Sequence, residues 1–263
     1  MNKKMKMAGY VAVAALLAGN SYGAFIQTTG GGGNWTNTTT WIGGSVPDAD
    51  GADTAVIRNG HVVVVDSAVA SSPSQINVGQ AGLGTLNINA GGDISSSVNT
   101  LVGNNAGGDG TLNINAGNYS ANNRLLIGNN GGTGTVNLDG GELYIGNIFT
   151  NALTILGSST LDITDGLLKW NADNVGYRSD NQIGALQGYV GTGDVTFGGT
   201  GAYVGANDAL IIATNGASYL YAQLNGTSGA TEVWSTVIPE PATVGLMSAF
   251  GLCAPLYDEV VAL

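Results

Sequence analysis

The sequence is poor in cysteine, histidine, proline and positive charge. Its 263 residues include one Cys, one His, five Pro and seven Lys or Arg. With Cys253 as the sole cysteine, no intrachain disulfide can form and no cysteine-based zinc or redox motif exists. Seven cations against 18 Asp and Glu give a net charge of −11. Because a phosphate backbone requires clusters of Lys and Arg, we exclude nucleic acid as a partner.

Charged residues are scarce, at 10% of the chain, whereas glycine is abundant, with 44 residues. Average proteins contain about 25% charged residues and about 7% glycine. The composition lacks the high charge of disordered chains, and the glycines lack the three-residue period of collagen. We therefore expect a folded, turn-rich chain that packing and backbone hydrogen bonds stabilise.

The N-terminus has the organisation of a secretory signal peptide. Three lysines lie within residues 1–6, an apolar stretch covers residues 7–18, and small residues surround Gly23 and Ala24. This pattern predicts a helical signal peptide over residues 1–23, recognised by the Sec machinery and cut by signal peptidase between Gly23 and Ala24. We expect the mature protein to be exported.

A short motif recurs through the middle of the chain at a step of about 25 residues. It reads GTLNINAGG at 84–92, GTLNINAGN at 110–118, GTVNLDGGE at 134–142 and, more weakly, STLDITDGL at 159–167. Apolar residues fall at every second position of each copy, the period of a β-strand with one buried face. Each unit therefore predicts short strands separated by Gly and Asn turns.

Repeats of this length predict an all-β fold, a parallel β-solenoid with coils of about 25 residues. A β-sandwich also has short alternating strands, but it has no reason to repeat one heptapeptide at a fixed step. Right-handed connections dominate in parallel sheets, so we expect a right-handed β-helix.

The expected organisation has five parts. Residues 24–75 form an N-terminal cap and first coil, for which Trp35 and Trp41 are the covering aromatics, and residues 76–170 form the β-helix repeats. Residues 171–236 lose the repeat register and form C-terminal coils or a cap, with a helix over 181–187. Residues 237–263 form a separate C-terminal segment.

That C-terminal segment resembles the PEP-CTERM sorting signal of Gram-negative bacteria. Pro239, Glu240 and Pro241 form the motif, and the apolar stretch 242–256 that follows it is expected to form a short hydrophobic helix, where the family has a membrane helix. The resemblance implies recognition by exosortase, a membrane protease, and a place on the cell surface or in an extracellular matrix rich in exopolysaccharide. The chain departs from the family at its end, which is acidic rather than basic.

The body resembles the Gly-rich repeat proteins, related to autotransporter passengers, that often carry this tail. Trp35, Trp41, Pro47, the segment 53–57 and the GTLNI units carry that resemblance, which covers most of residues 34–170. It implies a β-helix in a secreted surface protein.

Polysaccharide lyases and hydrolases also use β-helices, and their chemistry requires paired carboxylates, or a Ca²⁺-binding acid cluster with an Arg or Lys base. The acids do not recur at one repeat position with a cation between them, so we expect no enzyme, with a polysaccharide lyase or hydrolase as the alternative. The sole histidine, His61, has no second His or Cys near it and is expected at a strand edge. The residues considered are Asp93, Arg124, Glu142, Asp165 and Lys169.

Two polar sets are candidate binding sites. Asp48, Asp50 and Asp53 offer hard oxygens for Ca²⁺, against the alternative of an ordinary Asp and Gly turn. The outward polar positions of the repeats form ladders that either bind ice or a polysaccharide or support the stack itself. Their members are Thr85, Thr111, Thr135, Asn87, Asn113 and Asn137.

The sequence therefore predicts an exported, non-enzymatic surface or matrix protein with a structural or adhesive role. We expect no cofactor, with Ca²⁺ as the exception to test. The alternative function is a carbohydrate-binding or polysaccharide-degrading β-helix, which a groove lined by acids and aromatics would favour. A surface of Gly, Asn, Thr and Ser would favour the structural role.

Overall fold

A computed structural model describes residues 23–48, 53–171, 177–198, 210–225 and 230–238. These residues form a parallel β-solenoid of about six turns, with coils of about 25 residues and one short helix. The fold class predicted from the repeats is therefore confirmed. Three sheets run along the solenoid, and each coil contributes one strand to each sheet in its regular part.

The first sheet has six parallel strands. Neighbouring strands come from successive coils, so the sheet grows along the solenoid axis. Its strands are β1 (Phe25–Gln27), β3 (Thr54–Ile57), β5 (Gln75–Gln80), β8 (Asn99–Asn104), β11 (Arg124–Asn129) and β14 (Leu153–Ile155).

The second sheet has seven parallel strands. They are β2 (Gly32–Asn34), β4 (His61–Val65), β6 (Leu83–Ile88), β9 (Asp109–Ile114), β12 (Thr133–Leu138), β15 (Thr160–Ile163) and β17 (Val195–Phe197). The third sheet begins with four parallel strands and continues with three antiparallel ones. They are β7 (Asp93–Ser96), β10 (Asn118–Ala121), β13 (Glu142–Ile145), β16 (Leu167–Asn171), β20 (Ala230–Val237), β19 (Ser218–Asn225) and β18 (Leu210–Thr214).

The repeat register seen in the sequence is the register of the second sheet. The repeated threonines pair across β6, β9, β12 and β15, and the apolar positions on either side of them do the same. The apolar side chains point inward and are 0% exposed, as at Leu86, Leu112, Val136 and Leu161. The core is thus a stack of aliphatic rows, one row for each inward position of the coil.

The corner between the first and second sheets requires left-handed backbone. Asn105 and Asn130 have φ of 68° and 51°, and the glycines Gly107 and Gly131 that follow have φ of 77° and 82°. Glycine adopts this region freely and asparagine tolerates it, so the Asn and Gly clusters of the repeat fix where the chain turns.

The N-terminal end of the solenoid is covered by two tryptophans. Trp35 and Trp41 are 0% and 1% exposed, and their rings meet edge to face at 4.9 Å. The indole Nε1 of Trp41 donates a hydrogen bond of 2.8 Å to the carbonyl of Trp35. Trp41 also forms an antiparallel bridge with Thr28, so the segment after Trp35 folds back across the outer edge of the first sheet. This contact shields an edge that would otherwise pair with another chain.

The C-terminal end is covered by the helix α1 (Tyr177–Thr192), which is longer than the helix expected over 181–187. Leu186 and Gln182 on this helix are fully buried. The amide Nε2 of Gln182 donates to the carbonyls of Asn171 and Ile148 at 2.7 and 3.3 Å. Its Oε1 accepts a hydrogen bond of 2.7 Å from Thr231. One side chain thus joins the last coil, the helix and β20.

Part of the expected organisation lies outside the described residues. This applies to residues 1–22 of the signal peptide, to Asp50, to Cys253, and to the segment 239–263 with its Pro239, Glu240 and Pro241 motif. Among the helices that are described, none is long and apolar enough to cross a membrane.

Candidate functional surfaces

The outer face of the second sheet carries the repeated polar residues. Asn87, Asn113 and Asn137 lie in register on β6, β9 and β12 and are half-buried. The amide Nδ2 of Asn113 donates to Oδ1 of Asn87 at 2.7 Å, and Asn137 donates to Asn113 at the same distance. The asparagine ladder therefore links three coils through their side chains.

The ladder ends on an aspartate. Asp162 takes the place of asparagine on β15, directly beside Asn137. Its carboxylate accepts hydrogen bonds from the hydroxyls of Thr196 at 2.6 Å and Thr164 at 2.9 Å. Thr196 lies on β17, which pairs with β15. The hydrogen bond between Thr196 and Asp162 therefore extends the row of polar side-chain contacts from the last repeat to the final strand of the second sheet.

Asparagine pairs also occur at the three corners of the coil. Asn129 donates to Asn104 at 2.8 Å after the first-sheet strands, and Asn115 donates to Asn89 at 2.8 Å after the second-sheet strands. Asn147 donates to Asn123 at 2.6 Å after the third-sheet strands. The repeated amides thus bind one another between neighbouring coils at every corner.

The threonine column lies beside the asparagine ladder. Thr85, Thr111 and Thr135 pair in register and are half-buried on the outer face. Parallel strands lie about 4.8 Å apart, so their hydroxyls form a regular row at that spacing. The threonines of the candidate ligand ladder are therefore brought together in one regular row.

The outer face of the first sheet is nearly buried at three paired positions, two of which are apolar. Val56 and Leu101 point away from the core but are 0% and 7% exposed, and Asn77 between them is 3% exposed. The Oδ1 atom of Asn77 is buried and has no hydrogen-bond partner among the described residues. In the described coils, the polar ladders belong to the second sheet and the corners rather than to every face.

The aspartate predicted as a calcium ligand has a structural role. Asp53 is 8% exposed, and its carboxylate accepts a hydrogen bond of 2.6 Å from the backbone N–H of Ala24 and one of 3.3 Å from that of Asp48. It therefore ties the start of β1 to the loop before β3. No group of three or more His, Cys, Asp or Glu side chains that could hold a metal occurs among the described residues.

The residues considered for catalysis are dispersed over the surface. Lys169 and Glu142 form an ion pair of 2.5 Å on neighbouring strands of the third sheet. The Nε atom of Arg124 donates to the carbonyl of Asn151 at 3.2 Å, and Nδ1 of His61 lies 2.8 Å from the hydroxyl of Thr28. Asp93 and Asp165 are exposed.

A group of aromatic and charged side chains on the outer face of the third sheet was missed in the sequence. We call it the aromatic face. The rings of Tyr221 and Trp234 stack at 5.5 Å with an angle of 3° between them, and Tyr219 meets Tyr221 edge to face at 5.9 Å. The aromatic face consists of Glu142, Tyr144, Lys169, Tyr219, Tyr221, Gln223, Glu232 and Trp234.

The core contains one buried hydroxyl cluster. Ser96 lies 2.8 Å from Thr100, and Thr100 lies 2.8 Å from the phenol oxygen of Tyr119, all three being 0% exposed. Burial raises the pKa of Tyr119 far above its ordinary value, against the smaller opposing effect of the hydroxyl hydrogen bonds. The phenol therefore stays neutral and serves the packing of the core.

Comparison of the chain with protein-family models, with curated proteins and with solved structures found no match. The described fold places the chain in the class of parallel β-solenoids built from short repeats. Its candidate surfaces are the polar ladder of the second sheet and the aromatic face of the third.

Proposed function

We propose that this chain is an exported, non-enzymatic component of the cell surface or extracellular matrix, with a structural or adhesive role. The observation that carries the proposal is the asparagine ladder. Asn87, Asn113 and Asn137 bind one another rather than converging on a pocket, so the repeated polar residues serve the stack. A solenoid joined in this way is an extended scaffold that presents long, regular faces.

The location follows from the two ends of the sequence. In this proposal the Sec machinery exports the chain and signal peptidase cuts between Gly23 and Ala24. The motif Pro239, Glu240 and Pro241 then directs the chain to an exosortase-type protease, which releases it to the surface or the surrounding exopolysaccharide. The proposal includes no cofactor and no nucleic-acid partner, and the solenoid is right-handed, as parallel crossover connections generally are.

A second candidate function is a carbohydrate-binding or polysaccharide-degrading β-helix. The aromatic face favours it, because rings and charged groups from adjacent strands meet there. Binding has more support than hydrolysis, since the acid at Glu142 is paired with Lys169 rather than with a second carboxylate.

Deletion of the gene in the native host tests the structural role. We expect the extracellular polymer of the deletion strain to hold together less well under shear, measured as the protein and polysaccharide released from washed cells. The wild-type gene should restore cohesion. A gene with Pro239→Ala and Pro241→Ala should not, because its product is not sorted.

The comparison between the two complemented strains decides the outcome. Equal cohesion with the wild-type and the Pro239→Ala, Pro241→Ala genes would contradict sorting through the tail. Cohesion that is unchanged by the deletion itself would contradict a structural role in the matrix.

A further inference from the structure

We propose that the aromatic face binds a neutral polysaccharide that lies across the strands of the third sheet. This inference rests on the proposed function, since it names the partner through which a matrix component would be held. It concerns a different surface from the polar ladder, so the two can be tested separately.

The strand register brings the side chains of this face into one row. Tyr144 on β13 lies opposite Lys169 on β16, Lys169 lies opposite Glu232 on β20, and Glu232 lies opposite Gln223 on β19. Paired residues of neighbouring strands point to the same side of a sheet. At about 4.8 Å between strands, the row spans about 14 Å from Tyr144 to Gln223. That length accommodates several sugar rings of an extended chain.

Rings lie at one end of this row and beside the other. Tyr144 is half-buried at the β13 end, and on β19 the half-buried Tyr221 and Tyr219 lie two and four residues before Gln223. Trp234 is 5% exposed and stacks against Tyr221, which fixes the orientation of that ring. An aromatic side chain offers a flat apolar surface with a polar tip, which suits the C–H face and hydroxyl edge of a pyranose.

Charged and amide side chains lie beside the rings. Lys169, Glu142, Glu232 and Gln223 supply charged and amide groups that donate to or accept from sugar hydroxyls. A few convergent polar groups among aromatic side chains are the usual composition of sites that orient a ligand. The face thus combines stacking surface with hydrogen-bonding groups.

The charge of the face selects a neutral partner. Among its described side chains the one cation is Lys169, which is paired with Glu142, and the acid Glu232 accepts a hydrogen bond of 3.0 Å from Asn225. The chain as a whole has a net charge of −11. A polymer rich in uronate, sulfate or phosphate would meet like charge here, which costs binding energy and slows association. An uncharged polysaccharide meets no such penalty.

The rest of the described regular coils lacks this combination. The corresponding outward positions of β7 and β10 are Asp93, Ser95, Asn118 and Ser120, and the second sheet presents threonine and asparagine. The rings are therefore concentrated where the last coils meet the antiparallel strands.

Sedimentation with insoluble neutral glucans tests the proposal on the purified full chain. Cellulose, curdlan and amylose are the neutral probes, and calcium alginate gel is the anionic one. We expect the chain to be depleted from solution by at least one neutral glucan and not by alginate. Tyr144→Ala and Tyr219→Ala should each weaken binding about five- to tenfold, as expected for aromatic contact residues.

Matched control variants distinguish a loss of glucan binding from a loss of folding. Tyr144→Phe retains the ring and should bind almost as wild type, and Thr38→Ala changes an exposed residue near the N-terminal end of the solenoid and should bind unchanged. Circular dichroism establishes that each variant is folded.

Failure to bind all three glucans, preference for alginate, or equal binding by folded Tyr144→Ala and Tyr219→Ala variants would each overturn the proposal. Export and matrix association are measured in the host by fractionation, so their failure is distinguishable from failure of glucan binding. A folded variant that is exported normally but no longer binds glucan supports both proposals.

Discussion

Gly103 and Gly107 differ in their surroundings although both have left-handed backbone, with φ of 71° and 77°. A Cβ atom added to Gly103 would lie 1.9 Å from the carbonyl oxygen of Thr133 in the next coil, whereas one added to Gly107 meets no atom within 4 Å. We expect Gly107→Ala to lower the free energy of unfolding by about 1 to 2 kcal/mol, the cost of left-handed alanine. Gly103→Ala should cost at least about 3 kcal/mol more, because backbone must move.

Urea denaturation of the two variants measures this difference. Because both positions have the same strain from positive φ, the difference reports the close approach of successive coils. Similar midpoints for Gly103→Ala and Gly107→Ala would contradict the coil spacing described above.

Asn113 is the central member of the asparagine ladder, since it donates to Asn87 and accepts from Asn137. Asn113→Ala removes both hydrogen bonds, each contributing about 0.5 to 1.5 kcal/mol, so we expect a loss of about 1 to 2 kcal/mol in the free energy of unfolding. The control is Asn118→Ala on β10, an exposed position that should change stability by less than about 0.5 kcal/mol. If both variants unfold at the same denaturant concentration, the ladder does not support the stack.

Tyr119 should make the solenoid sensitive to alkaline pH. Burial raises its pKa above the ordinary value of 10.0. The folded chain therefore keeps the phenol proton that the unfolded chain loses, so this stabilisation is complete below pH 10 and decreases as pH rises above it. We expect Tyr119→Phe to cost about 1 kcal/mol at pH 7, through loss of the bond to Thr100, and the cost to shrink above pH 10.

Denaturation of wild type and Tyr119→Phe at a series of pH values between 7 and 11 follows that cost. A difference between the two proteins that stays constant or grows through this range would show that Tyr119 is not kept neutral in the folded state.

The helix α1 closes the C-terminal end mainly through Gln182. We expect Gln182→Ala to lower the free energy of unfolding by about 2 to 3 kcal/mol, because two backbone carbonyls and the Thr231 hydroxyl lose a buried partner. Gln187→Ala is the matched control, since Gln187 is exposed on the same helix and makes one long bond of 3.5 Å. Equal, small effects of both variants in thermal unfolding would show that α1 is not a structural cap.

At the scale of elements, the strands within the repeats were predictable, whereas the direction and pairing of the last strands were not. Identical residues at a fixed step give every coil the same inward rows, so Leu86 and Leu112 had to stack. The alternation in Ser218–Asn225 indicates a strand, but it contains no information about its direction or partner. Its antiparallel pairing with β20, and of β20 with β16, depends on tertiary contacts.

At the scale of the whole molecule, one of the two candidate surfaces was predictable from the sequence and the other was not. The polar ladder was predictable because Asn87, Asn113 and Asn137 occupy one repeat position. The aromatic face was not, because Tyr144 and Tyr221 come to lie on one face of the same sheet only after the antiparallel strands join the third sheet. Sorting through the two ends remains a prediction from the sequence.

Fractionation of the native host, with mass spectrometry of both ends of the chain in each fraction, tests the proposed export and sorting most directly. We expect the protein in the extracellular or polymer fraction, beginning at Ala24 and ending near Pro239. A chain that retains residues 242–263 and is found soluble in the periplasm or the medium would contradict sorting through the tail and remove the main support for a matrix role.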